Sequence, residues 1–129
     1  MTTVVLDASA LIAMLKQEPG GDGVAKIIGD SKITAINFAE VISHFCYAGM
    51  PTTEVDAMLR PLPLVVVSAD EKLATLAGHL STLTLSRGLS LGDRFCLALA
   101  QLEKLPAWTS DRNWQTLAEA VQVEITLIR

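Results

Sequence analysis

The chain is poor in the residues that most often betray a binding or catalytic specialist. It has three Phe, two Trp and one Tyr, two Cys and two His. With so few aromatics, the core must be built from Leu, Ile, Val and Ala. Cys46 and Cys96 each fall inside an expected helix and share no C-x-x-C or Cys/His ligand spacing. That argues against a disulfide framework or a zinc site, and for reduced core thiols in a reducing cytoplasm. A basic segment followed by a short apolar run is missing from the start, and no apolar run approaches membrane-spanning length. The expectation is a cytoplasmic protein, neither exported nor embedded. An excess of basic residues is also missing. The net charge of −4 counts against a nucleic-acid binder that works by charge alone, though not against one whose acids are gathered on metal ions.

What the sequence does have is aliphatic bulk. Half of its 129 residues are hydrophobic, enough for one domain, residues 1–129, with a sizeable core that needs no staples. The positive mean hydropathy suggests more apolar surface than a monomer needs, which favours self-association.

The stretch Val4-Val5-Leu6-Asp7-Ala8-Ser9 reads as a short strand, apolar on both faces, that ends in a carboxylate. Ala10 to Leu15 then reads as an apolar helix. After a turn at Glu18-Pro19-Gly20-Gly21, Gly23 to Ile28 makes a short helix, and Lys32 to Ile36 is a second strand. Asn37, with Glu40 three residues on, has capping-box spacing for a helix Phe38 to Ala48. Phe38, Val41, Ile42 and Phe45 share one face of it. Glu40, Ser43, His44 and Tyr47 share the other.

Thr53 opens a short helix to Leu59, and Pro61 and Pro63 precede a third apolar strand, Leu64 to Val67. Ser68-Ala69-Asp70 starts a helix Glu71 to Leu80, where Asp70 and Glu71 suit the helix dipole. Beyond the loop Ser86-Arg87-Gly88, Ser90 is the expected N-cap and Asp93 the N3 residue of a helix Leu91 to Lys104, apolar nearly all round and therefore central. Ala107-Trp108-Thr109 is a very short fourth strand, followed by the polar cluster Ser110-Asp111-Arg112-Asn113-Trp114 opening another helix. Val121 to Leu127 alternates as an edge strand does. Strands separated by helices throughout imply an α/β fold with a parallel sheet.

On that topology Asp7, Glu40, Asp93 and Asp111 all fall at one edge of the sheet, where strands end and the following helices begin, so four acids distant in sequence can converge. Each also has a structural reading as a helix cap or a capping-box partner, but caps alone give no reason for all four to share an edge. Two carboxylates about 5 Å apart repel by roughly 3 kcal/mol at an effective dielectric near 20. A cluster therefore calls for a cation, and oxygen-only ligands favour Mg²⁺ or Mn²⁺ over Zn²⁺.

Asp7-Ala8-Ser9, Asn37-x-x-Glu40, Ser90-Leu91-Gly92-Asp93-Arg94 and Thr109-Ser110-Asp111-x-x-Trp114 together resemble the PIN domain, in particular the VapC-type toxins of bacterial toxin–antitoxin pairs. The resemblance spans the chain, down to Ile125-x-Leu127-Ile128-Arg129. It implies a three-layer α/β/α sandwich around a mainly parallel sheet of about five strands, and an Mg²⁺-dependent endoribonuclease. Asp7, Glu40, Asp93 and Asp111 would be its acids, and Ser9 and Ser110 the small polar residues that orient acids or bound water. It further implies a cognate antitoxin and a homodimer.

The residue types suit such chemistry independently, because phosphodiester hydrolysis needs an activated water and stabilised charge, both within reach of a bound metal. Arg94 and Arg112, each beside a proposed ligand, are candidates to hold a phosphate of the RNA; as lone arginines they equally suit solvated surface. His44 and His79 read as surface residues, and Trp108 and Trp114 as packing. A haloacid-dehalogenase-like domain would need D-x-D where Ser9 stands. A receiver would need an acidic pair at the first strand and a late Lys. The remaining alternative is a catalytically silent PIN-like module that binds RNA or protein.

Overall fold

Val4, Val5 and Leu6 are all buried, and a strand hidden on both faces needs a paired neighbour at each side and helices above and below. The computed structural model, which describes residues 3–129, supplies both. In chain order the elements are β1 (Val4–Leu6), α1 (Ala8–Leu15), α2 (Gly21–Ile27), β2 (Ser31–Thr34), α3 (Ala35–Tyr47), α4 (Thr52–Leu59), β3 (Val65–Val67), α5 (Glu71–His79), α6 (Ser81–Thr84), α7 (Leu91–Glu103), β4 (Ala107–Thr109), α8 (Ala118–Val121) and β5 (Ile125–Leu127). Short 3₁₀ turns at Ile28–Asp30, Leu85–Arg87 and Arg112–Leu117 join some of them.

The sheet order is β3-β2-β1-β4-β5, and every pairing is parallel. This is the α/β architecture with a parallel sheet of five strands expected from the sequence, with β1 at its centre. Alternation along β1 sends Val5 into a core shared with α5 and α7 and sends Val4 and Leu6 to Ala10 and Val24 on the opposite face. Ile33 of β2 joins Leu11, Val41 and Phe45 in a third cluster beneath α1 and α3. As its all-round apolar pattern requires, α7 is the central helix, with Gly92 and every residue from Phe95 to Ala100 buried. Lys32, on the α7 side of β2, pairs with Glu103 near the helix's end. Among the described residues no helix is long and apolar enough to cross a membrane.

Several features differ from the sequence reading. β2 stops at Thr34 rather than Ile36, because the Thr34 hydroxyl accepts the Asn37 backbone N–H at 3.0 Å and so caps α3 three residues earlier than expected. Asn37 is therefore an interior residue of the first turn, not the cap. The expected last strand loses its first half, since Val121 ends α8 and Gln122 turns left-handed at φ 54°. Ser110 to Trp114 opens a 3₁₀ turn before the short α8, not a regular helix. β3 is continuously apolar yet lies at an edge, with Val65 54% and Val66 43% exposed, because hydropathy alone cannot distinguish a buried strand from an uncovered one.

The cap of α5 is as expected. The Asp70 carboxylate accepts the Leu73 N–H at 2.9 Å. Asp70→Ala should lower stability by about 0.5–2 kcal/mol in urea denaturation, and an unchanged midpoint would remove the cap assignment.

Candidate active site

The strand order changes direction at β1: β2 and β3 lie to one side of it, β4 and β5 to the other. In open α/β sheets the carboxyl ends of the strands flanking such a switch point diverge, and the crevice between them takes the ligand. Asp7 stands there. Its backbone N–H donates to the Trp108 carbonyl of β4 at 3.1 Å, so its side chain leaves the sheet where β1 and β4 part.

Asp7 is only 5% exposed, and its carboxylate is held on both oxygens. Oδ1 accepts the Ser9 hydroxyl at 2.7 Å and the Ala10 N–H at 2.9 Å; Oδ2 accepts the Thr109 hydroxyl. Each of those hydroxyls accepts in turn from the turn after β4. Ser110 N–H reaches Ser9 Oγ and Asp111 N–H reaches Thr109 Oγ1, both at 3.0 Å. Asp7 is thus the N-cap of α1 and also the anchor to which the Ser110–Asp111 turn is tied.

Glu40 enters from the first turns of α3. Asn37 is buried, and its Nδ2 donates to Glu40 Oε1 and to the Gly92 carbonyl of α7, each at 2.9 Å. Asn37 Oδ1 accepts the Thr34 hydroxyl at 2.6 Å. One amide thereby pins the start of α3 to the start of α7. Asp93 closes the capping box of α7, its Oδ2 accepting the Ser90 N–H at 3.0 Å. Asp111 lies at the exposed rim, with Oδ1 accepting the Asn113 N–H at 2.9 Å. Asn113 Nδ2 then donates to the Arg87 carbonyl, tying the rim to the loop before α7.

Electrostatics shows that these carboxylates share one neighbourhood. Burial pushes the Asp7 pKa up to about 6 against the lowering effect of its hydrogen bonds, and the Asp93 charge pushes the same way. Asp93 is raised too, by burial first, with the Asp111 charge adding to it. Burial also pushes the Cys96 thiol up, and Asp7, Asp93 and Glu40 all act on it. Cys96, one turn along α7 from Asp93, senses three of the four acids from within the core.

The acids are nevertheless held by their caps. Among the described residues no three His, Cys, Asp or Glu side chains are arranged to close on one metal ion. A hydrated Mg²⁺ does not demand that, since it keeps several waters and takes one or two carboxylates directly. Asp7 and Asp93 are oxygen-only, both raised chiefly by burial, with the Asp93 charge acting on Asp7, which is the chemistry such an ion fits.

The remaining expected residues are spread around this centre. The Arg94 guanidinium donates to the Ala77 carbonyl of α5 at 3.1 Å, whereas Arg112 is exposed beside Asp111. His44 and His79 are exposed, and Trp114 is wholly buried. Thr34 and Thr109 escaped notice among the site residues. Their signal was positional, because each is the last residue of its strand, as Leu6 just before Asp7 is of β1.

Residues 4–120 match the PIN domain family. The chain belongs to that family. Solved structures with the same fold include a toxin–antitoxin complex from Klebsiella pneumoniae, 16% identical over 98% of both chains with a TM-score of 0.73. DNA-bound VapBC from Salmonella typhimurium is 17% identical over the whole of both chains, TM-score 0.75. The sarcin-ricin loop cleaving toxin VapC20 of Mycobacterium tuberculosis is 12% identical over 92% of this chain and 95% of its own, TM-score 0.70. No curated protein matches the chain significantly.

The burial of Asp7 in this PIN domain sets a pH dependence. Folding raises its pKa from 3.8 to about 6, so between those values the folded state binds more protons than the unfolded one. The stability contributed by protonated Asp7 is complete below the lower value and is lost as pH rises through the upper. In EDTA, wild type should lose on the order of 3 kcal/mol relative to Asp7→Asn between about pH 4 and 7. Parallel urea curves for the two proteins across that range would contradict the assignment.

Proposed function

We propose that this PIN domain is an Mg²⁺-dependent endoribonuclease that hydrolyses phosphodiester bonds of single-stranded or looped RNA and acts as the toxin of a toxin–antitoxin pair. The observation that carries the reading is the placing of Asp7, buried and held on both oxygens, at the switch point of the sheet, with the half-buried Asp93 of α7 close enough for its charge to act on it. Family membership and the VapC and VapBC structures of the same fold support it. Mn²⁺ would substitute.

Asp7 and Asp93 would hold the ion, with Glu40 and Asp111 completing the acidic surround. When bound, magnesium supplies Lewis acidity toward the phosphate and lowers the pKa of a water. The chain's own part is positioning. Ser9 and Thr109 keep the Asp7 carboxylate in one rotamer, and Asn37 keeps Glu40 facing α7. Arg112, exposed beside Asp111, would meet a phosphate of the bound RNA, and Ser110 would line the same rim; Arg94, tied to the Ala77 carbonyl, is less free to do so.

The test is cleavage of a single-stranded RNA. Mg²⁺ or Mn²⁺ should support it and raise the melting temperature by mass action, and Asp7→Asn or Asp93→Asn should remove it with the fold intact. Undiminished cleavage in excess EDTA would eliminate the metal mechanism, and binding of RNA without any cleavage would favour a silent binding module.

A partner follows from the same charges. Without metal the four acids repel, and an inserted guanidinium would relieve that repulsion through bidentate hydrogen bonds. A cognate antitoxin carrying such an Arg would lay its apolar face in the groove between α3, α4 and β3 lined by Phe38, Leu59, Leu62, Leu64 and Val66. A homodimer would draw on exposed apolar side chains such as Tyr47, Leu85 and Leu91. Inhibition by the antitoxin should weaken as Mg²⁺ rises and when its Arg becomes Ala; a flat dependence on Mg²⁺ would place the block elsewhere.

A further inference from the structure

Gly92 lies in the first turn of α7, in a backbone conformation outside the left-handed region that favours glycine. Alanine would ordinarily be preferred at such a position, because glycine in a helix forfeits backbone entropy for nothing. The reason for glycine is spatial. A Cβ built there would stand 2.6 Å from Glu40 Oε1 and 2.7 Å from Glu40 Cδ, and nearer still to Oε2. The Glu40 carboxylate therefore lies flat against the helix in the space a side chain would take. Asn37 holds it there, with one amide hydrogen on Glu40 and the other on the carbonyl of Gly92 itself.

We propose that Gly92 is a positioning residue. Its missing side chain is the seat of the Glu40 carboxylate, and this seat sets the distance between the acid of α3 and Asp93, the next residue of α7. The proposal rests on the reading of the acidic cluster as an Mg²⁺ site. Any larger residue at 92 would push the flexible end of Glu40 outward and break its bond to Asn37, while the helix itself would tolerate the change. The substitution should separate stability from metal binding, which a purely structural glycine would not do.

Gly78, exposed in α5 with nothing within 4 Å of its would-be Cβ, is the control for helix propensity. Wild type, Gly92→Ala, Glu40→Ala, the double variant and Gly78→Ala are compared by urea denaturation in EDTA and by calorimetric titration with Mg²⁺. Gly78→Ala should raise the urea midpoint and leave Mg²⁺ affinity unchanged. Gly92→Ala should raise the midpoint less in the wild-type background than in Glu40→Ala, where no carboxylate has to move. It should lower Mg²⁺ affinity about 10- to 100-fold, as displacing an outer partner of a metal site does, with no further loss once Glu40 is gone. Equal Mg²⁺ affinity of wild type and Gly92→Ala, or equal midpoint gains in both backgrounds, would overturn the proposal alone. A wild type that takes up no Mg²⁺ would overturn the reading of the site and this role with it.

Discussion

A carboxylate buried at the centre of a parallel sheet constrains everything around it. Removing the Asp7 charge from water costs more than its hydrogen bonds return, as its pKa of about 6 records. The fold meets that cost with a closed set of donors, namely the Ser9 and Thr109 hydroxyls and the Ala10 N–H. Those hydroxyls are spent on Asp7 only because the turn after β4 supplies N–H groups to their other lone pairs. The conformation of residues 109–111 is therefore tied to the carboxylate at residue 7, a hundred residues away in sequence. A protein built for stability alone would place an apolar side chain there.

Capping does not exclude nearness among the same acids. Asp7, Asp93 and Asp111 each accept backbone N–H groups at the start of a helical segment, as propensity alone would suggest, yet the Asp93 charge acts on Asp7, the Asp111 charge on Asp93, and those of Asp7 and Asp93 on Cys96. The geometry explains why. In a parallel α/β sheet the N-termini of helices gather at the edge where the strands end, so a carboxylate serving as a cap is delivered to the ligand crevice by that same service. Caps hold these acids in fixed rotamers at that edge.

Much of this was legible in the residues. The apolar triplet before Asp7, the capping box of Ser90 and Asp93 and the all-round apolar α7 are local patterns, and each appears where its pattern placed it. Legibility failed where the deciding fact was long-range. Strand order is not written in any window of sequence, so the position of the switch point beside β1, and the exposure of β3, required the assembled sheet. Asn37 looked like a cap because Asn favours caps; that Thr34 takes the role and frees the Asn37 amide to join α3 to α7 depends on a contact 55 residues away. Gly92 was visible only as one letter of a motif. A glycine's purpose lies in what occupies the space beside it, and here the occupant comes from another helix.

The exposed β3 edge carries a consequence for the behaviour of the unassembled chain. Val65, Val66 and Val67 form an uncharged β-branched run with one side of the strand unpaired, the kind of edge on which a second chain can template a cross-strand pairing. No lysine or bulge blunts the run itself. Protection falls to its flanks, where Pro61 and Pro63 interrupt the ladder on one side and Asp70 and Glu71 place charge on the other, the arrangement of gatekeepers around an unavoidable hydrophobic strand. These four flanking residues are all exposed, and they rather than the strand itself carry what guards this edge has.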